Sequence, residues 1–527
     1  MMIHRQFVPI ALALLMRGAS PDGSVAISGT VRDAGSGRTI PGAVISARDT
    51  VAGISISVRA SVTGKFVIPA SAWRTHLLVA RAPGYNERSV PGGTSPVAIR
   101  LSSNSVPLSR IPSSRFLEAI KDDSVKRRFI LDCAGCHTID ERITHEDGRP
   151  RSRASWATAI TRMVDRYGAN SSFPVISPGR DADQTADWLT KVLAGVDSRA
   201  RHDWDVSRPV GDAGRAVVTE YALPETRDVP NSLALDARGN VVVTGMQTGA
   251  MFVLDPETGK FTTLQIPAAN ANPRDVAVDR DGSWWVLLGE PHQIARRDAK
   301  SGQWKFFDIG MYGHSLVRDD SGVWFNGLFT GNPPVLGRLT EAGDVQTFAM
   351  PVNTARTDTF TTLPYELRRD DDGNIWGSEL RGDRLVRFTP ATGALRVYPL
   401  PMPGSGPRRF DIGKDGKVWI PMFGYGALGK LDPSTGNVFH YLLPVSSSAP
   451  YVARVNRRTG QVWVATGAAD MVFMFDPARA RWTEYPLPTR GALVTSMEID
   501  ARTGAIWMTY GASPGIAPRV ARLEIAR

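Results

Sequence analysis

The 527-residue chain has only two cysteines, Cys133 and Cys136, and eight histidines. Two thiols three positions apart cannot staple a disulfide framework, and a zinc site built on them would need two further ligands at close spacing. Beyond the first twenty or so residues, no apolar run is long enough to cross a bilayer, so the mature chain is expected to carry no transmembrane segment. There is also no run of lysine and arginine: the net charge of +10 is spread along the chain, which gives no indication of a nucleic-acid partner. A dispersed basic surface is either ordinary solvated surface or a face suited to an acidic redox partner or an anionic membrane. No dinucleotide fingerprint occurs, so any second cofactor would be unusual or carried by a partner.

At the N-terminus, His4 and Arg5 precede an apolar run from Phe7 to Met16, followed by Gly18, Ala19 and Ser20. The run is too short to span a membrane. It predicts a signal peptide over 1–20 and export to the periplasm, although Arg17 lies close to the cut.

Three units follow, because 527 residues are too many for one core. Residues 21–104 carry short apolar alternations between Gly, Pro and Ser turns, among them Val25-Ala26-Ile27, Ala43-Val44-Ile45, Lys65-Phe66-Val67-Ile68 and Leu77-Leu78-Val79-Ala80, which predict a small β-sandwich. Gly29-Thr30-Val31, Ile40-Pro41-Gly42-Ala43-Val44, Gly64-Lys65-Phe66 and Gly84-Tyr85 resemble the carboxypeptidase regulatory-like domain. That resemblance implies a non-catalytic module for spacing, docking or adhesion. A Ser/Pro-rich linker, Ser102 to Ser114, leads to an α-helical unit over 113–200. Its helices are expected over about 115–132 (Phe116, Ile120, Val125, Phe129 and Ile130 inward), 155–167 (Trp156, Ile160, Met163, Val164) and 181–193 (Trp188, Leu189, Val192), the last with Asp181 and Gln184 at capping-box spacing.

Residues 208–527 repeat. Each unit has an apolar strand, an acidic Gly turn such as Asp279-Arg280-Asp281-Gly282, and a strand opening near Trp285, Trp324, Trp376, Trp419, Trp463 or Trp507. A third strand, a second turn and a fourth strand complete it. Units start at Pro230, Pro273, Gly313, Pro364, Pro407, Pro450 and Val494, spaced 43, 40, 51, 43, 43 and 44. Seven four-stranded units of this period predict a seven-bladed β-propeller, making the chain a mainly β multidomain protein. The last copy lacks a fourth strand. Thr219-Glu220-Tyr221-Ala222-Leu223-Pro224 matches Thr483-Glu484-Tyr485-Pro486-Leu487-Pro488, so 216–224 is expected to supply it and remove the open edge.

Cys133-Ala134-Gly135-Cys136-His137 is Cys-x-x-Cys-His. Two thiols on one turn can add to the two vinyl groups of a haem, and the adjacent His137 then reaches the iron. The alternatives are a redox disulfide, which would want a βαβ context, half of a zinc site, or chance. A single covalent haem c is the reading the context favours. For the sixth ligand, Met163 is the one methionine between His137 and the propeller, and thioether ligation suits electron transfer. It competes with a plain core role for Met163, with His145 as ligand, and with an open iron. Trp156, Met163, Gly168 and the Asp187-Trp188-Leu189 helix end resemble a compact cytochrome c subfamily, which implies that Met163 ligates iron.

The residue after each unit start is expected near the central channel: Asn231, Arg274, His314, Tyr365, Arg408, Tyr451 and Thr495. Arg274, Tyr365, Arg408 and Tyr451 would suit an anionic or aromatic ligand or a protein partner, although propeller channels are polar in any case. Gly313-His314-Ser315-Leu316 and Trp376-Gly377-Ser378-Glu379 resemble the streptogramin lyase (virginiamycin B lyase-like) family. The resemblance implies a propeller that opens a cyclic depsipeptide by elimination, with His314 as base, Glu379 as acid and a magnesium ion. The family's second histidine is Arg381 here, which cannot accept a proton. Three functions remain in order of preference. The first is a periplasmic one-electron carrier with a redox partner and the propeller as substrate or partner platform. The second is a lyase with an accessory haem unit, and the third a non-catalytic binding or sensor protein.

Overall fold

In blades two, three and four, the acidic turn and the tryptophan that follows it are held together by a hydrogen bond. The indole nitrogens of Trp285, Trp324 and Trp376 donate to Asp279, Asp319 and Asp370 at 2.9, 2.6 and 2.8 Å. The same rings pack on an aromatic of the fourth strand: Trp285 on Phe307, Trp324 on Phe348, Trp376 on Tyr398, Trp419 on Tyr441 and Trp463 on Tyr485. One such pair adds about 0.5–1.5 kcal/mol beyond area burial, so the repeated aromatic is a repeated unit of stability.

The computed structural model describes residues 26–92, 95–104, 111–193, 196, 210–355, 361–511 and 515–526. The signal peptide expected over 1–20 lies outside them.

Blades one to six are separate four-stranded antiparallel sheets. Blade one has strands Pro230–Leu235, Val241–Gly245, Ala250–Asp255 and Lys260–Gln265, and blade six ends with Arg481–Pro486. Hydrophobic clusters between successive sheets join them, for example Val242 and Met251 of blade one with Val276 and Val286 of blade two. Blade seven has Ser496–Ile499, Ile506–Tyr510 and Arg519–Ile525, and its fourth strand is Ala216–Ala222, antiparallel to the third with Tyr221 opposite Val520. Tyr221 stacks on Trp507 at 6.1 Å, the position Tyr485 holds against Trp463 in blade six. The ring therefore closes with a strand from before the first blade.

That closing strand has a second neighbour. Its outer edge pairs antiparallel with Ile54–Arg59 of the N-terminal unit, with Thr219 opposite Ile56. Blade seven thereby extends into one eight-stranded sheet that continues through Val44–Asp49, Leu77–Arg81 and Arg88–Pro91. A three-stranded sheet of Lys65–Ile68, Ile27–Asp33 and Val97–Leu101 completes the sandwich, whose core includes Val31, Ile45, Phe66, Leu78 and Ile99. Glu220, 3% exposed, fastens the junction. It accepts hydrogen bonds from Thr489 at 2.6 Å, from the Tyr510 hydroxyl and, at 3.4 Å, from Ser55.

Between sandwich and propeller lie five helices among the described residues: α1 (Ser113–Glu118), α2 (Asp123–Cys133), α3 (Glu141–Thr144), α4 (Arg153–Tyr167) and α5 (Ala182–Leu193). The single helix expected over 115–132 is broken. Asp122 caps α2 by accepting from the backbone of Ser124 and Val125 at 2.9 and 3.0 Å, and this ends the run begun by α1. Val125, expected inward, is 40% exposed as a result. Among the described residues, no helix is long and apolar enough to cross a membrane.

Replacing Tyr510 by Phe should remove one of the two donors to Glu220 Oε1 in a buried setting, a loss of about 1–3 kcal/mol. The thermal unfolding midpoint should fall. An unchanged midpoint would show that Glu220 does not hold the junction.

Candidate functional site

The α2 helix ends at Cys133. The Ala134 amide still donates to Ile130 at 3.1 Å, and the chain then turns through 134–136 to His137. The helix is pinned to blade five from its other end. The Arg127 guanidinium lies 4.6 Å from the Tyr425 ring centroid, and Leu131 presses so closely on the blade-five loop that a Cβ at Gly406 would come within 2.3 Å of it. The turn itself meets the propeller: a Cβ at Gly135 would lie 2.1 Å from Arg408 Nη2. A Cβ there would have to push the Arg408 guanidinium from its place against Tyr365, Phe423 and Tyr451.

Asp132, one residue before Cys133, is the polar anchor of this arrangement. Its carboxylate has no exposed side-chain surface. Oδ1 accepts from the Ser177 hydroxyl at 2.7 Å, the Ser177 amide at 3.1 Å and Arg381 Nη2 at 2.7 Å, while Oδ2 accepts from Arg180 Nε at 2.9 Å. Arg381 belongs to blade four, and it also donates to the Val175 carbonyl and the Ser177 hydroxyl. Burial raises the Asp132 pKa, but the charges of Arg381 and Arg180 outweigh it and hold the carboxyl below its ordinary range. Apolar contacts complete the interface: Phe173 packs edge-on against Tyr312 and Phe329, and Phe116, Ile130, Tyr365, Phe423 and Tyr451 share one core.

Within the loop, both cysteines are free thiols. Burial pushes the Cys133 thiol up to about 12 and raises that of Cys136, against the opposing charges of Arg408 and Arg274. Cys136 nevertheless presents exposed surface. His137 Nδ1 lies 3.1 Å from the Thr138 carbonyl, as a donor would, and burial lowers its pKa. A neutral imidazole held through Nδ1 leaves Nε2 as a ligand atom. Reduced thiols on one turn beside such a histidine fit a covalently attached haem. Met163 lies on α4, half-buried, beside the core-facing Trp156 and Ile160 but outside the cluster they join. His145 is half-buried with Nδ1 2.9 Å from the Thr144 hydroxyl. Among the described residues, no three His, Cys, Asp or Glu side chains converge as a metal-binding group. The two cysteines therefore have no third side chain of this kind beside them to build a zinc site.

Four of the mouth residues form one cluster. The Arg408 guanidinium donates to the Tyr365 hydroxyl at 2.7 Å and lies 4.3 Å from the Tyr451 ring centroid and 4.0 Å from that of Phe423. The hydroxyls of Tyr365 and Tyr451 hydrogen-bond to one another, and the His314 ring lies 4.2 Å from that of Tyr365. His314 Nδ1 sits 2.6 Å from the Tyr365 carbonyl, and Nε2 is buried with no partner. Burial and the charges of Arg274 and Arg409 drive its pKa well down, so the imidazole is neutral. Arg274 borders the cluster, with its guanidinium against Met246 Sδ and 5.8 Å from the Tyr312 ring. Asn231 and Thr495 are spent on the backbone, donating to the Arg274 and Pro230 carbonyls. Glu379 stands apart, held by Arg384 through two bonds of 2.8 and 2.9 Å.

Sequence reasoning missed a charged network just inside the mouth. Arg454 donates to Glu366 at 2.8 Å and to Glu498 at 3.0 Å, and Arg368 donates to Glu498 at 2.9 Å. These residues sit two and four places after each unit start, on the same strands as the chosen set. The available signal was the pairing of opposite charges at equivalent positions in different units.

Two family models match the chain: the virginiamycin B lyase family over residues 319–525 and the carboxypeptidase regulatory-like domain over residues 26–102. No curated protein matches it. Among solved structures, a streptogramin B lyase is similar at 19% identity and a TM-score of 0.52, covering 59% of this chain and 98% of its own. Virginiamycin B lyase from Staphylococcus aureus gives 18% identity and a TM-score of 0.52, covering 59% of this chain and all of its own. At these identities the likeness is one of fold: the chain carries a virginiamycin B lyase-like propeller and a carboxypeptidase regulatory-like domain.

Arg381→Ala should cost about 1–3 kcal/mol at neutral pH, the worth of a charged hydrogen bond at a buried carboxylate. With its folded pKa depressed, Asp132 stabilises fully above the ordinary carboxylate pKa, and that contribution is lost as pH falls through the folded value. The variant raises that value. The stability lost on acidification should therefore be smaller than in the parent, so the gap between the two thermal midpoints should narrow as pH falls from neutral, and a gap of constant size would contradict the role given to Arg381.

Proposed function

We propose that this protein is a mono-haem c-type cytochrome of the periplasm. The haem would be bound through Cys133 and Cys136 and ligated by His137, and the lyase-like propeller would serve as its substrate or partner platform. The observation that carries the reading is the docking of the Cys-x-x-Cys-His turn directly on the propeller mouth, with Gly135 against Arg408 and Cys136 exposed. A haem held there supplies one-electron exchange at iron. The chain's own contributions follow from its geometry. Thr138 orients His137, Asp132 with Arg180 and Arg381 fixes the helix that presents the thiols, and Met163 is the sixth ligand we assign. Arg274, Tyr365, Arg408 and Tyr451 are the residues that would meet a ligand. The basic surface would suit an acidic electron-transfer partner.

A lyase reading draws on the family resemblance and on the neutral His314 with its unpartnered Nε2, a proton acceptor by chemistry. It is the weaker of the two. Glu379 is engaged by Arg384, the second histidine is Arg381 turned toward Asp132, and helix α2 with its loop covers the mouth where a large cyclic ester would have to enter.

Absorption spectra of the exported protein, oxidised and reduced, with and without carbon monoxide, test the assignment. A low-spin spectrum unmoved by carbon monoxide in the parent, turning high-spin and reactive in Met163→Ala, is the expected result. An iron that binds carbon monoxide readily in the parent would remove Met163 as a ligand and direct attention to chemistry at the haem itself.

A further inference from the structure

Most buried arginines of the propeller are matched with carboxylates, as are the half-buried Arg368 and Arg381. Arg384 faces Glu379, Arg409 and Arg454 face Glu366, Arg368 faces Glu498, and Arg381 faces Asp132. Arg274 and Arg408 differ. They are 7% and 4% exposed, and among the described residues neither has a carboxylate at ion-pair distance. Arg408 has the Tyr365 hydroxyl and three aromatic faces, and Arg274 has Met246 Sδ and the Tyr312 ring. Nε of each guanidinium and Nε2 of His314, which is 1% exposed, are buried without a hydrogen-bond partner. Arg408 abuts Gly135 and donates to Tyr365, whose ring lies 4.2 Å from that of His314, and Arg274 lies 5.8 Å from the ring of Tyr312, two residues before His314, so these residues bound one region.

A buried cation without a counter-ion is costly, and a guanidinium with a free edge presents the fork that a carboxylate fits bidentately. Phe423, Tyr365 and Tyr451 add flat apolar walls around Arg408. We infer that Arg408 and Arg274, with His314, form a carboxylate-binding site at the propeller mouth, closed on one side by Gly135 and Cys136. The inference deepens the reading above, and rests on it only in setting the bound carboxylate beside a redox centre. The carboxylate has two sources, a small free acid brought to the haem edge or a propionate of the haem itself.

Benzoate titration of the full chain by calorimetry tests the site, on haem-loaded protein and on chain produced without haem-attachment machinery. Binding to both forms, weakened at least about 10-fold in Arg408→Gln and in Arg274→Gln, identifies a free carboxylate as the ligand. Binding to the haem-free chain alone, with the same dependence on the two arginines, identifies the propionate. Arg408→Lys keeps the charge without the fork and should bind more weakly than the parent but more tightly than Arg408→Gln, which separates recognition from misfolding. No binding to either form, or binding unchanged in both arginine variants, overturns the site. If no haem is ever attached and the chain still binds benzoate through Arg408, the electron-transfer reading fails and the carboxylate site stands.

Discussion

The Asp132 carboxylate, buried between Arg180 of the helical unit and Arg381 of blade four, is the constraint on which the rest of the site depends. A carboxylate so deeply placed is stable only with its charges and hydrogen bonds complete, and here they come from two units at once. Because Asp132 directly precedes Cys133, satisfying that one group also sets the angle at which the Cys-x-x-Cys-His turn meets the propeller. The close fit of Gly135 on Arg408 and of Leu131 on Gly406 then follows, since both lie on the same rigid stretch. Arg381 occupies the position at which the lyase family's second histidine would be expected. Its guanidinium holds a neighbouring unit and leaves no base there.

The sandwich is locked as firmly by a different device. Its strand Ile54–Arg59 continues the sheet of blade seven, so backbone hydrogen bonds run from the sandwich into the ring. An outer blade edge that would otherwise stand open is covered. The strand that closes the propeller is also the strand that joins it to the sandwich, and Glu220 ties both functions to Tyr510 and Thr489. All three units therefore have fixed places, and a ligand at the mouth would lie at a set distance from the Cys-x-x-Cys-His turn.

Much of this was legible in the sequence. In blades two to four the Asp turn and the tryptophan recur together because the carboxylate accepts the indole proton, and the fourth-strand aromatic recurs because it packs on the same ring. Tyr221 could be matched to Tyr485 before either was placed. Register likewise brought His314, Tyr365, Arg408 and Tyr451 to one mouth. What escaped was mostly long-range or local in a way periodicity does not register. Arg381 and Asp132 are 249 residues apart, and neither reveals its partner. The strand Ile54–Arg59 has the same alternation whether its edge is free or paired. The break between α1 and α2 depends on one capping carboxylate, Asp122, while the apolar spacing runs on across it.

The central claim is that a haem is covalently bound on the turn facing the propeller mouth. Mass spectrometry of the denatured, exported chain tests it most directly. The account predicts a mass increased by one haem that survives denaturation, mapped to the peptide holding Cys133 and Cys136 and absent when both are replaced by alanine. A chain exported at its bare polypeptide mass from cells able to attach haem would contradict it.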